Sequence, residues 1–318
     1  MPALRSFSEG GKRETINVTN ATTKKSALGR YLDPRVLARL MHARLKPRGR
    51  VIGDLVGDHK SPFAGFAVEF AGHREYTPGD DTRHIDWRVY YKYNRYYIKQ
   101  YEAETNLIAN ILVDASESML YGEGAQQKWN YAASLAVTLS YLIVRKRDKA
   151  GFGMFDDKIL LHIPATQSML HPLRMDEVMQ KHTPARKTDM GKVLAEFAPR
   201  FGRRGVVMII SDCFDDEERI LKSLRRFQYD QHDVILFHIL HRDELSFPFD
   251  GNVRFEGLED IPDIKTDAQQ VRTRYQEVVS GFLDRLNRGC ERSSVEYVLM
   301  DTSIPLEVTL ARHLAGRA

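Results

Sequence analysis

From residue 107 onward the apolar positions fall into two alternating rhythms. LIANILV (107–113), GFGMF (151–155), KILLHI (158–163), RGVVMIISD (204–212), DVILFHIL (233–240) and VEYVLM (295–300) are short and apolar at nearly every position. That is the pattern of strands covered on both faces. Between them lie longer stretches with helical spacing: KWNYAASLAVTLSYLIVRKRD (128–148), residues 175–181 and 189–200, EERILKSLRRF (217–227), residues 267–288 and residues 306–315. Strands alternating with helices predict a three-layer α/β domain around a mostly parallel, Rossmann-like sheet. Loops at the carboxyl ends of such strands form the binding crevice, and both ILVD and IISD deliver an acid there.

The first hundred residues lack this rhythm. YLDPRVLARLMHARL (31–45) places Leu32, Val36, Leu37, Leu40 and Leu45 near one helical face, with Asp33 as a cap and Pro34 in the first turn. The stretch 46–88 is rich in Gly, Pro and Asp and predicts two or three short strands joined by ordered loops. Tyr90–Glu104 is an aromatic-rich strand candidate. The expected organisation is a basic, disordered tail over 1–30, a helix with a small strand-rich region over 31–106, and the α/β domain over 107–318.

Charge and cysteine content narrow the setting. The net charge is +4, yet residues 1–60 hold thirteen Lys or Arg against five acids. A solvated tail accounts for this, and so does attraction to nucleic acid, an acidic protein or an anionic surface. Two cysteines, Cys213 and Cys290, are too few for a disulfide framework or a thiolate zinc site. There is no apolar signal core and no apolar run long enough to span a bilayer, so a soluble, cytoplasmic protein is expected.

The candidate chemistry is a set of oxygens. Asp114, Ser116 and Ser118 stand two residues apart where a strand turns, and such a turn presents alternate side chains around one point. One carboxylate and two hydroxyls suit Mg²⁺ or Mn²⁺ and are poor ligands for zinc or copper. Asp212 ends a second strand, and Thr188 with Asp189 opens a helix. Taken singly, each has a local explanation: the serines cap the following turn, Asp114 binds backbone amides, and Thr188 caps its helix.

Together these positions, Asp-x-Ser-x-Ser followed by Thr188 in RKTDMG and Asp212 in IISDCF, resemble the metal-ion-dependent adhesion site (MIDAS) of von Willebrand factor A-like domains. The resemblance implies that the serines and threonine reach a divalent ion directly or through water, that the aspartates act mostly through water, and that a partner's carboxylate takes the open position. Cys213 stands where many such domains have Gly.

A second resemblance lies in front. Glu69, Arg74-Glu75-Tyr76, the turn Pro78-Gly79-Asp80-Asp81, Arg83 and Ile85-Asp86-Trp87-Arg88 resemble the signature of a bacterial family of unknown function encoded beside MoxR-type AAA+ ATPases, in which this segment precedes a von Willebrand factor A-like domain. The resemblance implies a MoxR-type AAA+ ATPase as partner. Physically, the forks of Arg74, Arg83 and Arg88 match Glu75, Asp80, Asp81 and Asp86 for bidentate pairing. Such a lattice fastens the segment to the following domain, with Trp87 and Ile85 as apolar contact; alternatively, an aromatic ringed by arginines is a partner-facing hot spot.

Catalysis finds little support. The chain has no GxxxxGK[ST] loop, no GxSxG elbow and no HExxH helix. His162 and His182 serve as a base for the serines only if folding brings them near. The reading is a non-enzymatic, metal-dependent protein-binding module. Its alternatives are a structural protein with a vestigial site, and nucleic-acid binding through the basic N-terminal region with the tyrosines of 90–101.

Overall fold

The computed structural model describes residues 4–8, 29–40, 68–103, 107–202, 205–257 and 264–316. The chain forms two compact units, residues 1–51 with 107–318 and residues 52–106.

The larger unit is built on six strands: β4 (Ile108–Asp114), β5 (Lys149–Phe155), β6 (Ile159–Thr166), β7 (Val206–Ser211), β8 (Asp233–Leu240) and β11 (Glu296–Asp301). They lie in the order β11-β8-β7-β4-β5-β6, parallel except for the antiparallel β5–β6 pair. From β4 the chain moves first to β5 on one side and later to β7 on the other. The direction of winding reverses there, which opens a crevice beyond the carboxyl ends of β4 and β7.

Alternation along the strands sorts two cores. Ile111, Val113, Met208, Ile210, Ile235 and Phe237 pack with α3 (Lys128–Arg145), α4 (His171–Lys181) and α9 (Leu306–Ala315). Leu112, Val207, Ile209, Val234 and Leu236 face the opposite layer of α5 (Met190–Phe197), α6 (Glu217–Tyr229) and α8 (Ala268–Arg292). The central strands β4, β7 and β8 are apolar at most positions because both of their faces are covered. Helix α6 shows the complementary rule: Ile220, Leu221, Leu224 and Phe227 are buried at helical spacing, and charges occupy the other side. Gly153 in GFGMF serves packing, since a Cβ there would stand 2.5 Å from Leu112 Cδ2 and 2.7 Å from Phe197 Cζ.

Several expectations change. Helix α1 (Pro34–Leu40), grouped from sequence with the front segment, packs instead on the larger unit, with Tyr31, Leu32, Val36, Leu37 and Leu40 in the α3 core. The Tyr31 amide donates to Asp176 Oδ1 at 2.6 Å, and Arg39 pairs with Glu307 at 3.0 Å. Its apolar face decides the placement. Strand β1 (Leu4–Ser8), within the expected tail, lies antiparallel to β9 (Asn252–Gly257), which also pairs with β10 (Ile264–Asp267). An edge of β9 offers unpaired backbone groups that recruit this stretch. The rest of the tail through residue 28, and residues 41–67 with most of the expected short strands, lie outside the described residues.

In the smaller unit, β2 (Val68–Glu75) and β3 (Tyr97–Ala103) form an antiparallel pair. The strand expected over Tyr90–Glu104 is helical in its first part: α2 (Trp87–Tyr93) precedes β3. Asp86 caps it, its Oδ1 accepting from the amides of Arg88 at 3.0 Å and Val89 at 3.4 Å, and Asn94 closes it at φ 54°. The cap and the left-handed Asn override the strand preference of the tyrosines.

Candidate functional site

Parallel pairing sets Val113 opposite Ile210, so the next residues, Asp114 and Ser211, leave the sheet side by side. Ser211 Oγ donates to Asp114 Oδ2 at 2.7 Å and accepts from the Cys213 amide at 2.9 Å. Asp114 Oδ1 accepts from the Ser116 amide at 2.9 Å. The local role expected of Asp114 is therefore realised. Ser116 and Ser118 Oγ atoms stand 3.0 Å apart, and both side chains are buried. Burial, and then the charge of Asp212, push the Asp114 carboxyl up to about 7.

The Thr188 loop is tied to the first loop through its backbone. The Glu117 amide donates to the Arg186 carbonyl at 2.8 Å, and the Ala185 amide to the Ala115 carbonyl at 3.1 Å. Asp189, not Thr188, caps α5, accepting from the Lys192 amide at 3.1 Å. Thr188 Oγ1 is buried with no hydrogen-bond partner among the described residues, so the hydroxyl has a lone pair free for a water or an ion.

Asp212 is held by a residue that the sequence reading passed over. Lys128, the first residue of α3, is wholly buried and donates to Asp212 Oδ2 at 2.7 Å and to Glu244 Oε1 at 2.8 Å. Its ammonium lies 4.5 Å from the Phe214 ring centroid. Burial works against its charge, but Asp212 and Glu244 outweigh burial and raise its pKa above the ordinary lysine value. Glu244 Oε2 accepts from the His241 amide at 2.7 Å, within a capping box that opens α7 (Arg242–Ser246). His238 ties the Asp212 carbonyl to its ring at 2.9 Å. Cys213, where Gly was expected, adopts φ 56° and so meets the turn without glycine.

Ser211 sits next to Asp212 and was discernible as one more hydroxyl of the IISD strand end. Lys128 and Glu244 carried no local signal, because 84 residues separate the lysine from Asp212 and 116 from Glu244. His162 packs on Phe197 and Phe201, and His182 on Trp129, so neither hydrogen-bonds the serines. Among the described residues no group of three or more His, Cys, Asp or Glu gathers as metal ligands.

In the front segment the pairing is more local than expected. Arg74 meets Asp80 at 2.8 Å and also donates to Thr77, and Arg83 meets its neighbour Asp81 at 3.5 Å. Arg74 and Thr77 hold the Asp80 carboxyl down at about 2. Glu75 pairs with Arg95 at 3.5 Å, and Asp86 with His73 at 2.9 Å and Lys99 at 3.6 Å, without an arginine. Arg88 is exposed and enters no ion pair among the described residues. Trp87 is 53% exposed and meets Tyr90 and Tyr96 edge-on, while Ile85 is buried and bridges to Ile98.

A family model described as "Protein of unknown function DUF58" matches residues 72–281, which include the front signature from Arg74 to Arg88 and all three loops of the crevice. The chain belongs to this family. DUF58 proteins are associated with MoxR AAA+ ATPases and related to von Willebrand factor A-like domains, a protein-interaction type of fold. The chain is 26% identical over 230 residues to uncharacterized protein Rv1480 of Mycobacterium tuberculosis and equally to Mb1516 of Mycobacterium bovis, covering 71% of this chain and 72% of each relative. Among solved structures, the conserved hypothetical protein BatB from Bacteroides thetaiotaomicron is 16% identical with a TM-score of 0.46, covering 67% of this chain and 98% of that one. The SpRpn10 VWA domain is 15% identical with a TM-score of 0.37, covering 65% and 95%. Among the described residues no helix is long and apolar enough to cross a membrane.

Proposed function

We propose that the crevice beyond β4 and β7 binds a hard divalent cation, Mg²⁺ or Mn²⁺, and through it an acidic side chain of a protein partner, and that the chain acts without catalysis as an adaptor of a MoxR-type AAA+ ATPase. The observation that carries this reading is the buried, unpartnered Thr188 hydroxyl, on a loop fastened to the one that brings Ser116 and Ser118 together. The donor chemistry fits the ion: three hydroxyls with Asp114 and Asp212, all hard oxygen. When bound, the ion would supply an electrophilic position for an incoming carboxylate. Lys128 neutralises part of the acid charge at Asp212. That leaves the hydroxyls and Asp114 as the principal donors, with Asp212 held in the wall of the crevice.

The exposed Trp87, beside Arg88, which is exposed and enters no ion pair among the described residues, favours a partner-facing role for the front segment over an apolar clamp. The family link supports the ATPase as the partner it meets. The proposal includes a cytoplasmic location, which two free, buried cysteines suit.

The test is affinity capture from native cell extract quantified by mass spectrometry, comparing the intact protein in Mg²⁺, the same protein in EDTA, and a folded Ser116→Ala/Ser118→Ala variant. An AAA+ ATPase captured only with ion and intact serines supports the reading. Identical captures in all three would leave the oxygen cluster structural, as in a protein with a vestigial site.

A further inference from the structure

A second feature of the larger unit lies away from the oxygen crevice. Helices α6 and α8 pack side by side, and Gly289 makes the approach close: a Cβ there would stand 2.4 Å from Leu221 Cδ1. Above this contact runs a cleft of about 670 Å³, lined by Glu217, Leu221, Arg225, Gln228, Arg285, Arg288, Gly289, Arg292 and Ser293. Leu221, Arg225 and Gln228 recur at helical spacing on α6, and Arg285, Arg288 and Arg292 on α8, so two rows face one groove.

The charge of the lining is one-sided. Its single acid, Glu217, is taken by Arg285 at 2.9 Å. Arg225, Arg288 and Arg292 are exposed and enter no ion pair among the described residues. Elsewhere on α6, Arg226 has its own acid, Asp230, one turn on. Three uncompensated guanidinium groups around one concavity repel one another until an anion arrives, and their forks match carboxylates in pairs.

We infer that this cleft docks an acidic protein segment. Arg288 and Arg292 stand about 6 Å apart along α8 at 1.5 Å per residue, and Arg225 faces them from α6, so successive Asp or Glu side chains of a peptide can each meet a separate fork. Among the described residues no aromatic ring lines the cleft, which gives no stacking platform of the kind on which single-stranded nucleic acid relies. Leu221 and Gly289 on the floor offer an apolar strip to the stems of the same side chains. The cleft shares no residue with the oxygen crevice and needs no divalent cation.

The experiment is fluorescence anisotropy of a fluorescein-labelled oligoglutamate peptide titrated with the full chain at low and high salt. The full chain with Arg288→Glu/Arg292→Glu is compared with Arg174→Glu/Lys181→Glu, an equal charge change on exposed α4 positions. Binding that weakens with salt, falls about tenfold or more in the cleft variant and stays within about twofold in the α4 variant supports the inference. Equal losses in both variants, or no loss in either, overturn it by assigning the binding to overall charge or to the basic N-terminal residues. A labelled oligonucleotide bound more tightly than the peptide, with the same dependence on Arg288 and Arg292, overturns the choice of a protein segment.

Discussion

Lys128 Nζ lies 2.7 Å from Asp212 Oδ2, and neither side chain reaches solvent. With Glu244 at 2.8 Å on its other side, the lysine joins the start of α3 to the end of β7 and to α7. Two charges of one sign around one of the other make this triad asymmetric. Removing the lysine strands two buried carboxylates. Lys128→Met is expected to cost about 3–5 kcal/mol in urea unfolding. The triple variant Lys128→Met/Asp212→Asn/Glu244→Gln, which removes all three charges, is expected to recover much of that loss. A single variant as stable as the parent would show that the pair is not charged in the folded protein.

Acid should weaken the fold in part through histidines that are buried neutral. His171, at the start of α4, is held down at about 4, first by burial and then by Arg174. The unfolded chain binds its proton near 6.5, so between these values the unfolded state holds more protons and stability falls as pH falls. His171→Leu is expected to flatten this decline by about 1–3 kcal/mol between pH 6.5 and 4. The decline does not vanish, because burial lowers His232 and His238 in the same direction. Urea midpoints measured along this pH range decide it, and parallel curves for parent and variant would refute it.

How much of this was legible in the chain varies with the range of the interaction. The six core strands and their flanking helices were readable because burial on both faces leaves a continuous apolar run, a purely local mark. The same holds for Asp114, Ser116 and Ser118, which share one turn. Tyr90–Tyr93, expected as the start of a strand, misled because a cap at Asp86 and a left-handed Asn94 decide a short helix against the strand preference of its tyrosines. Lys128 was invisible in principle: a lysine opening a helix normally faces water, and only the folded topology brings two distant acids over it.

Gly153 is a packing residue. Adding a methyl group there would bring it into Leu112 and Phe197 within the layer of α5. Gly153→Ala is expected to lose about 1–3 kcal/mol through overpacking. Gly153→Ala combined with Phe197→Leu should recover part of the loss, which chemical denaturation of the single and double variants can check. No loss in the single variant would mean that the layer yields freely there.

The exposed face of α2 predicts a separation of stability from binding. Trp87 is half in solvent and meets Tyr90 and Tyr96 edge-on. Trp87→Ala is expected to change unfolding free energy by no more than about 0.5 kcal/mol. It is also expected to diminish capture of an AAA+ ATPase from extract. A large fall in stability with unchanged capture would return the segment to a structural role.

Thr188 offers the sharpest test of the oxygen crevice, because two effects of one substitution carry opposite signs. Its hydroxyl is buried without a partner. In EDTA, Thr188→Val removes an unsatisfied polar group at nearly constant shape, and is expected to hold stability or raise it by about 1 kcal/mol. In Mg²⁺ the parent gains RT ln(1 + [L]/Kd), about 2.7 kcal/mol at a hundredfold excess over Kd, and the variant should lose most of that gain. Thermal unfolding of both proteins in EDTA and in a Mg²⁺ series separates the terms. A parent that Mg²⁺ does not stabilise would remove the ion from the crevice, whereas a variant destabilised in EDTA would show that the threonine had a hydrogen-bond partner after all.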